Sequence, residues 1–355
     1  MKITFVSPAP NLSGGIRVIA IYADLLTEMG HDVTVVAPVP PRPGAKAIAK
    51  GLIKGRLPGK RSQSHYDGLK ARLHLVETDM PLTDTDIPDG DAVIATLWDT
   101  AYVVAGLSAA KGRKFYFVQH HEVHYPRYNH LIAGSYYLPL KKITISNWLV
   151  SVMRDVYGDE DVALVPNAVD TSLFFARPRD KQPRPTVSMM YSGKAFKGTD
   201  VSLKAVELAR ETLPDLQLVA FGTERPTRDL PLPPDTTYHL SPPQTSLRDI
   251  YAASDLYLFG SRVEGFGLPV LEAMACRCPV VATRAGCAPD FITPGKSGHL
   301  VDVDDAGTMA EAIIDILRRD NDAWQAMSLA AFQSVERRDW KDAAERFLAC
   351  LDGND

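Results

Sequence analysis

One stretch limits the fold more than any other. The chain begins KITFVSP and then reads NLSGGIRVIAIYADLLTEMGHDVTVVAP. The first run is almost continuously apolar, the signature of a strand buried on both faces of a sheet. Gly14 and Gly15 end it, and a helix over about Ile16 to Met29 is predicted. That helix carries Ile16, Ile19, Ala20, Ala23 and Leu26 on one face. Gly30 stops the helix, and HDVTVVAP is a second strand. A strand, a covering helix and a second strand in so few residues form a right-handed parallel unit, the building block of a doubly wound α/β sheet.

The alternation continues through LHLVE, AVIATL, KFYFVQH and KITIS to VALVPNAVD. A polar, proline-rich stretch, RPRDKQPRP at 177–185, reads as a linker. Beyond it come strands VSMMYSG, LQLVAFG, LYLFGS and PVVATR with helices between them. With 355 residues, of which 45% are apolar, the chain can fill two cores. Two α/β domains are therefore expected, residues 1–170 and 171–337. An amphipathic helix over about 338–355 follows, carrying Trp340, Ala343, Ala344, Phe347 and Leu351 on one side, and is expected to return to the first domain. A formal charge of −4 argues against a nucleic-acid partner. The four cysteines fit neither a zinc knuckle nor a redox pair and read as buried thiols. No apolar run is long enough to span a bilayer. A cytoplasmic location, with peripheral contact on the inner membrane face as an option, is the expectation.

The segment EGFGLPVLEAMA carries the clearest chemistry. Glu264 and Glu272 flank a glycine turn that opens a helix, with Pro269 near its first position, where a missing N–H costs nothing. The turn follows the strand LYLFGS, and doubly wound sheets bind ligands beyond the carboxyl ends of their strands. The backbone N–H groups of Gly265, Phe266, Gly267 and Leu268 are donors at a helix start and suit a phosphate. A bare carboxylate repels phosphate, so Glu264 and Glu272 are expected to meet hydroxyls of a sugar or ribose. A capping carboxylate and a solvated helix glutamate would be the plain structural alternative.

EGFGLPVLEAMACRCPVVATRAGCAPDFI resembles the signature of retaining glycosyltransferases of family 4, which have the GT-B fold of two doubly wound Rossmann-like domains facing across a cleft. SGGIRVIAIYADLLTEMGHDVTVV, VPNAVDTSLF and KGTD extend the resemblance over most of the chain. It implies transfer of a hexosyl or deoxyhexosyl group from a nucleotide-sugar donor to a glycan or lipid-linked acceptor, in polysaccharide or cell-surface glycan synthesis. It implies no metal and no cofactor. By the same resemblance Lys197 and Lys194 in YSGKAFKGTD hold the donor diphosphate, and Gly14 and Gly15 lie against it. His120 or its neighbour His121, in FVQHHEV, lines the donor sugar, with His120 preferred. The catalytic set so implied is His120, Lys197 and Glu264. The rest of the donor site is Gly14, Gly15, Lys194, Gly265, Phe266, Gly267, Leu268 and Glu272.

DTD at 84–86 and DVDD at 302–305 mimic a metal–diphosphate motif but read as polar turns. Between Arg42 and Arg72 nine Lys or Arg residues face the single acid Asp67, with apolar residues interleaved. Such a segment reads equally as a solvated loop or as a docking surface for anionic lipid or an anionic carrier. A nucleotide-sugar 2-epimerase and a non-catalytic nucleotide-sugar-binding subunit are the rival functions. A Rossmann dehydrogenase lacks support, because no G-x-G-x-x-G follows the first strand.

Overall fold

A computed structural model describes residues 1–40, 63–78, 81–123 and 126–353. The chain forms two compact units. The first comprises residues 1–144, 150–165 and 344–355, the second residues 145–149 and 166–343.

In the first unit the elements run β1 (Lys2–Val6), α1 (Gly14–Glu28), β2 (Asp32–Pro38), β3 (Arg72–Val76), β4 (Ala92–Ala95), α2 (Trp98–Gly106), β5 (Arg113–Val118), α3 (Asn129–Ser135), β6 (Lys141–Thr144), α4 (Asn147–Tyr157) and β7 (Val162–Leu164). The first three residues of α4 belong to the second unit. The strands make one parallel sheet in the order β3-β2-β1-β4-β5-β6-β7. Ile3, Phe5 and Val6 are fully buried, as a strand covered on both faces requires. Helix α1 buries Ile16, Ile19, Ala20, Ala23 and Leu26, the face its periodicity marks. It begins at Gly14 rather than Ile16, so both glycines are the opening residues of the helix. The terminal helix, Trp340–Asp352, inserts Phe347 into this unit, with its ring 5.9 Å from Phe5, 4.7 Å from Tyr22 and 5.1 Å from Phe117. DTD at 84–86 is a short 3-10 turn whose Asp84 accepts from the Ser108 amide at 2.7 Å and from its hydroxyl at 2.8 Å.

The second unit runs β8 (Thr186–Met190), α5 (Thr199–Thr212), β9 (Gln217–Gly222), β10 (Thr237–Leu240), α6 (Gln244–Ala252), β11 (Leu256–Phe259), α7 (Leu268–Ala275), β12 (Val280–Thr283), α8 (Ala288–Phe291), β13 (Gly298–Val301), α9 (Ala306–Arg318) and α10 (Asn321–Gln333). Its parallel sheet has the order β10-β9-β8-β11-β12-β13. Helices α5 and α9 close one face over Val187, Met189, Leu218 and Leu256. The linker is fastened at Asp255, whose carboxylate accepts from the Gln182 amide at 2.8 Å, the Thr186 amide at 3.0 Å and Arg179 at 3.2 Å.

Each sheet reverses its winding direction once. In the first unit the reversal lies between β1 and β4, in the second between β8 and β11. Loops leaving the carboxyl ends of two such strands diverge to opposite sides and leave a crevice, where doubly wound folds place their ligands. In the second unit these are the loops that carry Lys197 and Glu264.

Candidate active site

Two loop backbones touch beyond β8 and β11. Gly198 has φ +58°, and a Cβ there would stand 1.8 Å from the Gly260 carbonyl oxygen. Only glycine permits both the left-handed conformation and the close approach. The crossing brings Lys197, at the end of a 3-10 turn over Ala195–Lys197, to the Glu264 carboxylate, where its ammonium donates to Oε1. The same oxygen accepts from the Ser261 hydroxyl at 3.0 Å. The Lys197 side chain is 21% exposed and that of Glu264 9%, so the pair is largely withdrawn from water. Charge neutralisation is the consequence: a carboxylate that alone would repel phosphate is paired with a cation that has further N–H donors to offer.

Gly267, with φ +93°, precedes helix α7. The amides of Gly265, Phe266, Gly267 and Leu268 make no hydrogen bond to another described residue. They sit at the positive end of the helix, beside the Lys197–Glu264 pair. The Gly265 carbonyl accepts from the Ser146 hydroxyl at 2.9 Å, and that of Phe266 accepts from the Cys287 amide at 2.7 Å, which holds the loop from below. Phe266 is buried, with its ring 6.2 Å from that of Phe291. Glu272, one turn into α7, is only 3% exposed, and the Tyr251 hydroxyl lies 3.4 Å from its Oε2. Burial, then the Glu272 carboxylate, hold the phenols of Tyr251 and Tyr257 well above their ordinary range, so both stay neutral and Tyr251 remains a donor to Glu272. Lys194 is exposed, its ammonium 5.7 Å from the centre of the Phe196 ring.

Arg262, Asp200 and Asp304 also belong to this assembly, although their role is not evident from residue type. Arg262 donates to both carboxylate oxygens of Asp200, at 2.9 and 2.7 Å, and to Asp304 at 2.6 Å. Both acids lie in stretches noted above, KGTD and DVDD. The second is a polar turn, and its Asp305 caps α9 by accepting from the Thr308 amide at 2.9 Å.

In the first unit Gly14 and Gly15 open α1 beyond β1, within its own crevice. A Cβ at Gly14 would meet nothing within 4 Å, and one at Gly15 would meet only the Gln119 side chain at 3.6 Å. Neither glycine is demanded by the protein's own atoms. The His120 carbonyl accepts from the Tyr136 hydroxyl at 3.0 Å, and His121 Nε2 bonds the Tyr157 hydroxyl at 2.8 Å. Just past them, burial and then the Asp99 carboxylate push Glu122 up to about 8, against the opposing pull of the Trp98 amide. A carboxyl that holds its proton near neutrality can both donate to and accept from a hydroxyl. The basic segment falls at 42–62 outside the described residues, and with it Lys50, Lys54, Lys60 and Arg61. No helix among the described residues is long and apolar enough to cross a membrane.

Residues 173–332 match the family of glycosyl transferases group 1. The phosphatidyl-myo-inositol mannosyltransferase of Mycolicibacterium smegmatis is 26% identical over 371 residues, which cover 98% of this chain and 92% of that protein. The GDP-mannose-dependent alpha-(1-6)-phosphatidylinositol monomannoside mannosyltransferase of the same organism is 29% identical over 213 residues, 53% of this chain and 56% of that protein. The chain spans between 36 and 56% of the length of the first three curated relatives it matches. The crystal structure of Anabaena HepE in complex with UDP-glucose superposes with a TM-score of 0.76 at 17% identity, over 99% of this chain and 100% of that one. Residues 173–332 thus resemble the group 1 glycosyltransferases, and the two sheets match the two Rossmann-like halves of the GT-B fold.

Proposed function

We propose that the chain is a retaining, metal-independent glycosyltransferase of family 4. It moves a hexosyl or deoxyhexosyl group from a nucleotide-sugar donor to a carbohydrate or lipid-linked acceptor, in polysaccharide or cell-surface glycan synthesis. The observation that carries this reading is the Lys197–Glu264 pair beside four available amides, where the winding of the second sheet reverses. As the donor's glycosidic bond breaks, negative charge grows on the departing diphosphate. Fixed cations and amides aimed at that charge lower the barrier without reorganising. Lys197 and the Gly265–Leu268 amides take this role, with Lys194 assisting from the loop edge. Glu264 and Glu272 accept hydroxyls of the sugar and the ribose. On this reading the second unit binds the donor and the first presents the acceptor. Gly14 and Gly15 then leave room for the diphosphate, and His120 lines the sugar. The names of the relatives put mannosyl donors first among candidates, and the bound UDP-glucose of HepE adds glucosyl ones.

The test is a panel of nucleotide sugars. The cognate donor at about 100 times its Kd is expected to stabilise the fold by about 2.7 kcal/mol, read as a raised melting temperature. Free nucleoside diphosphate should accumulate when acceptor is added, in EDTA as without it, and NMR of the product should show the donor's anomeric configuration kept. Stabilisation without release supports a binding subunit, and a C2-inverted nucleotide sugar supports an epimerase. Loss of transfer in EDTA removes metal independence.

The basic residues of 42–72 favour peripheral contact with anionic membrane. Vesicles containing phosphatidylserine are expected to retain the protein in low salt and release it in high salt. Equal retention after neutralising Lys50, Lys54, Lys60 and Arg61 would exclude this.

A further inference from the structure

We propose that Arg262 is the positioning residue that locks the Lys197 loop and the Glu264 loop in register for transfer. The proposal rests on the glycosyltransferase reading above. Arg262 stands two residues before Glu264, where a cation close to a diphosphate site would ordinarily be taken for a phosphate ligand. Its bonds argue otherwise. Nη1 and Nη2 fork onto Asp200, at 2.9 and 2.7 Å, and Nε reaches Asp304 at 2.6 Å. Nη1 also donates to the Ala195 carbonyl. Four of the five N–H donors an arginine owns are therefore engaged by the protein itself. The main chain repeats the link, since the Arg262 amide donates to the Phe196 carbonyl at 2.8 Å. Ala195 and Phe196 are the two residues before Lys197. One side chain and its own amide thus grip the lysine's turn from the loop that carries the glutamate.

A second observation points the same way. Asp304 has φ +65°, a left-handed conformation that a non-glycine residue adopts at a cost. In that conformation its carboxylate closes on Arg262, so local strain is spent on completing the clamp. The clamp contributes little to the stability of the fold. The side chains of Asp200 and Asp304 are 54% and 57% exposed, and ion pairs open to solvent contribute roughly 0 to 1 kcal/mol each. Geometry is where the contribution falls: a misplacement of about 1 Å at the reacting centre costs about a hundredfold in rate. Lysine cannot substitute, because the planar fork that spans Asp200 has no ammonium counterpart.

Three variants test this: Arg262→Met, Arg262→Lys and the double variant Arg262→Met/Lys197→Met, beside Lys197→Met alone. Arg262→Met is expected to lose about thirtyfold or more in kcat. Its melting temperature should stay within about 3 °C of wild type, as an exposed ion-pair cluster requires. Arg262→Lys should recover less than about fivefold of that loss, because the ammonium can keep only one of the links. If Arg262 acts through Lys197, the double variant is no slower than Lys197→Met alone. Multiplying losses would overturn the proposal, as would wild-type kcat in Arg262→Met. A melting temperature lowered by about 10 °C or more, with the rate loss tracking unfolding, would also overturn it. Amide hydrogen exchange reads the same claim with no donor present. Exchange in 194–200 and 260–264 should rise together in Arg262→Met while β9 stays protected, and unchanged exchange in both loops would refute the lock. A wild-type protein that turns over no donor would sink the transferase reading, and the exchange result would still decide for or against the clamp. Should Arg262→Met not fold, Asp304→Asn loosens the same clamp from its other end and is read by the same assays.

Discussion

Lys197→Met is expected to lower kcat for sugar transfer by about 10²–10³, the loss seen when one fixed charge-stabilising donor is removed from a site of this kind. The argument has two parts that a second variant separates. Methionine keeps the length and most of the apolar stem of lysine but removes the cation that meets the growing charge of the leaving group. It also strands Glu264, whose side chain is 9% exposed and whose Oε1 then keeps only the Ser261 hydroxyl. Removing one partner of a withdrawn ion pair leaves an uncompensated charge, which destabilises more than the intact pair stabilises. Lys197→Met is therefore expected to be both slow and less stable. Lys197→Met/Glu264→Gln should regain most of the lost melting temperature and none of the lost rate. Glu264→Gln alone keeps a hydroxyl-binding group but frees Lys197 from its carboxylate, and should raise the donor KM more than it lowers kcat. Initial rates over a donor titration and thermal unfolding of all four proteins decide this. Turnover of Lys197→Met within twofold of wild type would remove Lys197 from the mechanism, and recovery of rate in the double variant would show the loss to be structural.

How much of this was legible in the sequence depends on what each residue signals. The strand–helix alternation was legible because parallel strands covered on both faces must be nearly continuous in apolar residues, as KITFV, TVVA and LYLF are. Strand β10 escaped notice for the opposite reason. Thr237–Leu240 is four residues long at the edge of the sheet, and none of them is fully buried, so no apolar run marks it. The burial of Glu272 could be foreseen from Val270, Leu271, Ala273 and Met274 around it, which leave a helix no polar face at that height. Lys197 and Glu264 could be named from the motifs that carry them, but the bond between them could not. They are 67 residues apart and are joined by a crossing of two backbones at Gly198 and Gly260. Arg262 was hidden more deeply. A sequence shows an arginine beside a candidate anion site, and only the positions of Asp200 and Asp304 reveal that its charge is already engaged.

Gly286→Ala is expected to damage the site from behind. Gly286 lies in the turn after β12 with φ +59°, and a Cβ there would stand 2.2 Å from the Phe266 carbonyl oxygen and 2.9 Å from the Glu264 Cβ. Those are backbone and root atoms of the Glu264 loop, and neither can move aside by a rotamer change. The carbonyl of Phe266 is also held by the Cys287 amide at 2.7 Å, so displacing the turn takes the loop with it. A positive φ costs alanine about 1–2 kcal/mol and overpacking adds about 1–3 kcal/mol, which together lower the melting temperature by about 5–15 °C in a unit of this size. Rate should fall further than stability implies, because a shift of about 1 Å at Glu264 is itself worth about a hundredfold. Gly295→Ala is the control. Gly295 has φ +77°, and a Cβ there would meet nothing within 4 Å, so alanine carries the conformational cost without the collision. It should melt about 2–5 °C below wild type and transfer sugar at the wild-type rate at 25 °C. If the two variants show the same rate at a temperature where both are folded, the Gly286 turn does not set the position of Glu264, and the Ser146, Lys197 and Arg262 contacts hold the loop without it.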